Sequence, residues 1–192
     1  MLVTGEGRGL QPCAGRPVRV VQIGYVLLAL AAGTRFGAGM ALFFFVAYLF
    51  SNIGAFLSVA AVEAAGEEPT CHGVRNLIRR SPLLAALFVT FLLSLGGIPF
   101  VLGFWGKMYV FLAAGRAGLW GLVFLGALLA VVALYYYLNV ARYMLIVPEG
   151  GPPLRVPLAM LVALVCCALL VVGGGLVPRL FVDPVLRAVA GF

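Results

Sequence analysis

Charged residues are scarce in this sequence of 192 residues: they make up 10% of it, whereas soluble domains average about 25%. With so few charges, the chain cannot cover a surface that faces water. The composition therefore excludes a soluble globular protein, a disordered chain and a disulfide-stapled secreted domain. Hydrophobic residues make up 64% instead, which indicates a polytopic helical membrane protein with room for about five or six spans.

Motifs for metal, haem or covalent catalysis are also missing. The one histidine, His72, lies in a polar segment, and the four cysteines show no C-x-x-C spacing, so neither a metal site nor a redox site is predicted. No H-E-x-x-H or G-x-S-x-G motif occurs, and no carboxylate lies inside an apolar run. These absences argue against a self-contained membrane protease or oxidase.

Five apolar segments follow a polar tail and predict an all-α bundle of about five transmembrane spans. The segments cover residues 20–33, 36–62, 82–114, 117–146 and 156–178. The first of them is shorter than the roughly 17 residues that a span needs. We therefore divide the chain into a polar tail over residues 1–19 and a transmembrane domain over residues 20–192.

Segment 82–114 is too long for one straight helix. About 33 residues at 1.5 Å each reach roughly 50 Å, against a hydrocarbon core of about 30 Å. Gly96, Gly97 and Pro99 predict where the helix breaks, because glycine loosens a helix and proline removes a backbone donor. Broken backbone is tolerated in a membrane only where it is buried in protein or lines a wet cavity. The break is therefore a candidate functional feature.

The basic residues are divided unequally between the two sides of such a bundle. With five crossings, eight arginines share the side that holds residues 1–19, and four lie on the other side. The positive-inside rule then places the first side in the cytoplasm and the C-terminus outside. This bias also explains the net charge of +7, so we predict no nucleic-acid partner.

Lys107 is the one lysine, and it lies inside an apolar run between Pro99 and Arg116. A charged lysine at the centre of a bilayer costs about 2.5–3.5 kcal/mol. A lysine can release its proton in apolar surroundings, whereas an arginine remains charged in any protein. Because every other basic residue is an arginine, we predict that Lys107 carries protons. The alternative is a lysine that reaches the interface along a shortened half-helix.

Two further groups of polar side chains have helical spacing. They are Tyr48, Ser51 and Asn52 in the second segment, and Tyr135, Asn139 and Tyr143 in the fourth. Each group is a candidate proton relay. Each is equally compatible with interhelical hydrogen bonding or, for the tyrosines, with an aromatic belt at the membrane surface.

Several stretches resemble the antiporter-like, proton-translocating subunits of NADH:quinone oxidoreductase (respiratory complex I). LSLGGIPFVLGFWGKMYVF is similar to their broken, lysine-bearing helix, and QIGYVLLAL to the end of an earlier helix. RRSPLLAALFVTFLLSLGGIP and LYYYLNVARYM match as well, in the expected order. YLFSNIGAF resembles the pattern of the subunit N (subunit 2) family, since the larger related subunits carry histidine and lysine there.

The resemblance implies the second of two inverted five-helix repeats. In it Lys107 is the proton carrier, and Pro99, Gly97, Gly103 and Gly106 shape the broken helix. It implies proton translocation coupled to quinone reduction in the inner (plasma) membrane, by a subunit of an oxidoreductase without a redox site of its own. NADH, FMN, iron–sulfur clusters and quinone would be bound by partner subunits. The partners would be the other membrane subunits of complex I and the lipid bilayer.

The family pattern before residue 20 has no counterpart in this sequence. We interpret the chain as the C-terminal part of such a subunit, with residues 1–19 outside the family pattern. Two alternatives remain open at this stage. One is a subunit of a related cation/proton antiporter or membrane-bound hydrogenase, and the other is a non-catalytic membrane scaffold that only packs against partner helices.

Overall fold

Helices make up the regular structure of this protein. The computed structural model describes residues 16–67, 74–146, 153–154 and 156–190, and no strand occurs within them. The helices are α1 (Arg16–Ala31), α2 (Arg35–Ala64), α3 (Leu77–Arg80), α4 (Pro82–Gly96), α5 (Leu102–Arg116), α6 (Trp120–Ile146), α7 (Leu158–Leu176) and α8 (Arg179–Ala190). The predicted all-α fold is confirmed.

Most of the predicted polar tail lies outside the described residues. Its last four residues do not: α1 begins at Arg16, whereas the first apolar segment begins at residue 20. The loop residues Cys71 and His72 also lie outside the described part of the chain.

Three helices are long and apolar enough to cross a membrane on their own: Arg35–Ala64, Trp120–Leu145 and Leu158–Leu176. Helix α1 is shorter, with 16 residues. Helices α4 and α5 have 15 residues each, which corresponds to about 22 Å, so they reach across the hydrocarbon core only as a pair.

The predicted break in this pair is confirmed. Helix α4 ends at Gly96, α5 begins at Leu102, and residues 97–101 connect them. Gly97 turns the chain with a φ of 84°, a left-handed conformation that glycine adopts without a steric penalty. Phe100 also has a positive φ, 78°, so the connection cannot continue either helix.

Helix α2 lies at the centre of the bundle, where it packs against α1, α4, α5, α7 and α8. Its start is fixed by Thr34, whose hydroxyl accepts a hydrogen bond from the Gly37 N–H at 3.0 Å. Gly54 allows α4 to approach closely, because a Cβ there would collide with the ring of Phe91. These contacts hold the lysine-bearing helix pair against α2.

Helix α6 buries one face only. Ala133, Tyr137, Val140, Ala141 and Met144 are buried and repeat at helical spacing. Most of the other side chains on this helix are exposed and apolar, as expected for a helix whose outer side is surrounded by lipid or by other transmembrane helices.

Helix α8 was not predicted as a helix. It is amphipathic: Val182 is buried in a cluster with Met40 and Phe43 of α2, whereas Arg179 and Asp183 are exposed. Its apolar positions are too few for a membrane span, and only their helical spacing indicates a helix.

The last turn of α7 packs directly on the connection between α4 and α5. A Cβ on Gly175 would collide with the Phe100 carbonyl oxygen and the Val101 Cα, so the two backbones touch. The indole Nε1–H of Trp105 donates to the Gly175 carbonyl at 2.7 Å. These contacts fix the position of the break relative to α7.

We expect Gly175→Ala to destabilise the fold by about 1–3 kcal/mol, since the added methyl group would separate α7 from the break. Gly173→Ala is the matched control, because nothing lies within 4 Å of a Cβ placed there. It should be neutral or slightly stabilising. The measurement is the thermal unfolding midpoint in lipid nanodiscs, and equal midpoints for the two variants would contradict the contact.

Candidate functional site at the helix break

The end of α4 leaves two carbonyl groups without helical partners. In a continuous helix, the Leu95 carbonyl would accept from the N–H of residue 99, but residue 99 is proline and has none. The Gly96 carbonyl would accept from the N–H of Phe100, but the chain leaves the helix path at Gly97, whose φ is 84°. The cap bonds of this turn run instead from Gly97 and Ile98 to earlier carbonyls.

Lys107 of α5 satisfies both carbonyls. Its Nζ donates to the Leu95 oxygen at 2.7 Å and to the Gly96 oxygen at 3.0 Å, and the residue is only 5% exposed. The ammonium lies at the negative end of the α4 dipole, which favours a cation. Hydrogen bonds to charged groups contribute about 1.5–3 kcal/mol each, so these two offset the cost of moving a lysine into the membrane.

Helix α1 adds two residues to this site. Gln22 is 3% exposed, and its Nε2 donates to the same Leu95 carbonyl at 3.2 Å and to the Tyr137 hydroxyl at 3.4 Å. The Tyr25 ring faces Lys107, with Nζ 5.4 Å from its centroid, a cation–π distance. The Leu95 carbonyl therefore accepts from both α1 and α5.

A pair of buried serines joins α2 to α4 beside the lysine. The Oγ atoms of Ser51 and Ser94 are 2.7 Å apart, and the Ser51 Oγ also lies 2.9 Å from the Ala47 carbonyl, which can only accept. The single hydroxyl proton of Ser51 therefore points to Ala47, and Ser94 donates to Ser51. Ser94 in turn accepts from the Gly103 N–H at 3.2 Å, which ties the first turn of α5 to α4.

Glycines make this close approach possible. A Cβ on Gly103 would collide with the Ser94 carbonyl oxygen, and a Cβ on Gly106 would lie 3.4 Å from the Cα of Phe44. A Cβ on Gly97 would lie 2.9 Å from the Lys107 side chain. Pro99 is exposed in the connection.

A small cavity lies between these groups. Its volume is about 10 Å³, and it is lined by Gln22, Phe44, Tyr48, Ser51, Ser94, Leu95, Gly103 and Lys107. On the other side, Lys107 borders a larger apolar cavity of about 290 Å³ between the break and α6. Lys107 therefore borders two cavities, a small one beside α1 and α2 and a larger one beside α6.

The predicted relay residues divide into two sets. Tyr48 and Ser51 line the small cavity together with Lys107. Asn52 and Asn139 are half-buried but do not line it, and Tyr135 is 67% exposed on the outer face of α6. The structure thus brings together only part of the predicted set.

Sequence reasoning missed four residues of the site. They are Gln22, Tyr25, Ser94 and Tyr137. Two signals were available in the sequence. Ser94 lies one helical turn before Gly97, and Gln22 is a polar residue in a segment that is otherwise largely apolar. Those signals do not reveal which helices meet.

Acidic side chains lie away from Lys107 throughout the described part of the chain. Glu63 and Asp183 are exposed, and Glu67 forms an ion pair with Arg80 at the far end of α2. Within the same residues, no three histidine, cysteine or acidic side chains lie close enough to hold a metal ion. The charge of Lys107 is therefore stabilised by carbonyl dipoles and not by a described carboxylate.

Comparison with known proteins matches the sequence to one family. A family model described as "NADH:quinone oxidoreductase/Mrp antiporter, TM" matches residues 19–133. NADH-quinone oxidoreductase subunit N of Moorella thermoacetica is 39% identical over 162 residues, which are 83% of this chain and 34% of the relative. The chain thus spans about a third of the length of that curated relative.

Solved structures have the same fold. One chain of respiratory complex I from Thermus thermophilus with bound aureothin is 27% identical, with a TM-score of 0.65 over 87% of this chain and 44% of that one. One chain of the Mrp complex from Dietzia sp. DQ12-45-1b gives a TM-score of 0.77 at 20% identity, over 88% of this chain and 40% of that one. The second likeness concerns the fold alone.

We expect Ser51→Ala to destabilise the bundle by about 1–3 kcal/mol, because the buried Ser94 hydroxyl would lose its acceptor. Ser58→Ala is the matched control: Ser58 is equally buried on α2, but its Oγ donates only to the Gly54 carbonyl of its own helix, at 2.8 Å. Its loss should cost about 1 kcal/mol or less. Thermal unfolding in lipid nanodiscs measures both, and a larger loss in the Ser58 variant would contradict the serine link.

Proposed function

The chain belongs to the membrane family of NADH:quinone oxidoreductase and Mrp antiporter subunits, and from this premise we propose that it takes part in proton translocation coupled to quinone reduction. We propose that Lys107 carries the proton. The observation that carries it is the position of the Lys107 amine, which is buried and joins the two halves of a broken membrane helix through the Leu95 and Gly96 carbonyls.

The geometry supports proton exchange because it accommodates both forms of the side chain. An ammonium group has three N–H donors, and a neutral amine keeps two of them and gains a lone pair. The two carbonyls need two donors, so loss of one proton leaves both hydrogen bonds in place. An arginine at this position would remain charged and could not exchange a proton.

In this proposal Lys107 exchanges its proton on the side of the small cavity. Tyr48 and Ser51 line this cavity and are the relay residues that we propose. The Ser94 hydroxyl donates to the Ser51 oxygen, and the Ser51 hydroxyl donates to the Ala47 carbonyl of α2. Asn52, Tyr135 and Asn139 do not line the cavity, so this relay leaves them out.

In this proposal, partner subunits bind the cofactors and the quinone and surround the bundle in the membrane. The other membrane subunits of complex I pack around the apolar outer faces of the bundle, together with the lipid bilayer of the inner membrane. NADH, FMN, iron–sulfur clusters and quinone bind to partner subunits. The C-terminus lies outside, on the side opposite the arginine-rich loops.

A second candidate function is cation/proton exchange in an Mrp-type antiporter. The family model covers both classes, and the Dietzia Mrp chain has the same fold. The two functions differ in their energy source. Proton movement in vesicles that needs NADH supports the first function, whereas proton movement driven by a sodium gradient without NADH supports the second and would overturn the first.

We predict that Lys107→Ala and Lys107→Arg both lower NADH-driven proton translocation strongly, by about 100-fold at the transfer step, the usual cost of losing a positioned proton-transfer group. The measurement is the quench of a pH-sensitive dye in membrane vesicles that contain the assembled complex. Leu112→Ala is the control on the same half-helix, since Leu112 is 39% exposed and lies outside both cavities, and it should translocate normally.

Assembly is checked in the same vesicles by NADH oxidation with a water-soluble electron acceptor, which should be equal in all variants. Normal translocation in Lys107→Arg would show that only the charge matters and would refute the carrier role. Normal translocation in Lys107→Ala with full assembly would favour the scaffold alternative.

A further inference from the structure

Tyr25 on α1 is held in place from three sides. The residue is 1% exposed, and its ring packs edge-on against Phe44 of α2, with centroids 5.6 Å apart, and against Phe111 of α5, with centroids 5.7 Å apart. Its hydroxyl donates to the Gly126 carbonyl of α6 at 3.3 Å. The ring therefore has one fixed position among α1, α2, α5 and α6.

This fixed ring faces the amine of Lys107. Nζ lies over the ring at 5.4 Å from its centroid, within the roughly 6 Å at which an ammonium and an aromatic face attract each other. Two N–H groups of the ammonium donate to the Leu95 and Gly96 carbonyls, and the third has no hydrogen-bond acceptor among the described residues. The ring thus faces the charge where the carbonyls do not bond to it.

The ring and the carbonyls respond differently to the proton on Lys107. A carbonyl accepts a hydrogen bond from the ammonium and also from the neutral amine. The negative face of an aromatic ring attracts a cation and has no comparable attraction for a neutral amine. The carbonyls belong to the backbone, so the ring is the contact through which a side chain favours the charged form.

Few other titratable side chains face this amine. Of the elements packed against α5, helix α2 brings Tyr48 to the lining of the small cavity, and α6 brings Tyr137 to Gln22. Helix α4 and the last turn of α7 contain no titratable side chain. The described acidic side chains lie away from Lys107, so the ring does not compete there with a described carboxylate.

We propose that Tyr25 is a positioning residue whose ring sets the balance between the charged and the neutral form of Lys107, and whose hydroxyl holds the ring in place through Gly126. The assignment rests on the proposed function in one respect: the balance serves transport because Lys107 exchanges a proton. The contact between the ring and the ammonium stands on the geometry alone.

The first test compares variants of Tyr25 in the full chain, labelled with nitrogen-15 lysine and placed in lipid bilayers. The readout is the pH at which the Nζ signal has moved halfway from the ammonium to the amine position. We expect Tyr25→Leu, which removes the ring and keeps an apolar side chain, to lower this pH by about one unit. Tyr25→Met removes the ring in the same way and serves where the leucine variant does not fold.

Tyr25→Phe is the matched control, because it keeps the ring and removes only the hydroxyl bond to Gly126. It should keep the wild-type halfway pH to within a few tenths of a unit, since the face of phenylalanine also attracts a cation. An equal halfway pH in wild type and in the variants without a ring would overturn the assignment. So would a fall in Tyr25→Phe as large as that in Tyr25→Leu, because the hydroxyl would then be responsible.

The second test is a double-mutant cycle that needs no loss of the proton. Thermal unfolding midpoints are measured in lipid nanodiscs, at a pH at which Nζ is an ammonium, for Tyr25→Leu, Lys107→Met and the double variant. The midpoint lost through Tyr25→Leu should be smaller by about 2–4 °C when residue 107 is methionine, because no charge remains for the ring to attract.

The two tests separate failure of this inference from failure of the proposed function. A wild-type Nζ signal that stays at the ammonium position would contradict the proton carrier, and the cycle then decides about Tyr25 by itself. Additive losses in the cycle would show that the ring does not stabilise the ammonium and would overturn the assignment.

Discussion

Backbone carbonyl groups at the end of a helix inside a membrane have no water to bond to, so the protein itself must supply every donor. Here the sequence creates that need at two positions, since Pro99 has no N–H and the chain leaves the helix path at Gly97. Lys107 supplies both donors, and Gln22 adds a further one to Leu95. The break and the lysine therefore stabilise each other: either one alone would leave buried polar groups unpaired.

The rest of the bundle positions this pair. Helix α7 touches the connection through Gly175 and receives the hydrogen bond of Trp105, which holds the α5 half in place. Helix α2 contributes Ser51 on one side, and α1 places the Tyr25 ring against the ammonium on the other. The result is a buried amine that is fixed in position between the two half-helices by carbonyl groups and an aromatic ring.

Composition and spacing were sufficient to predict the helical class, the break and a lysine inside the membrane domain, because each follows from the chain itself: segment length, a proline and an isolated charge. Which polar side chains lie beside Lys107 was predicted less well, because that depends on how the helices pack. Helix α6 carries apolar side chains on every side and tyrosines on more than one, so its sequence does not show which face is buried. Tyr135 and Tyr137 lie about 200° apart around it, and only Tyr137 hydrogen-bonds to Gln22. The meeting of Gln22 with Leu95, 73 residues later, likewise depends on how α1 packs.

The central claim is that the Lys107 amine exchanges a proton while it stays bound between the two half-helices. Lys107 is the one lysine of the chain, so labelling the chain with nitrogen-15 lysine and placing it in lipid bilayers gives a single Nζ signal in a solid-state NMR spectrum. As the pH is raised, the signal should pass reversibly from the ammonium to the amine position without unfolding of the helices. A signal that remains at the ammonium position at every pH at which the fold persists would contradict the account.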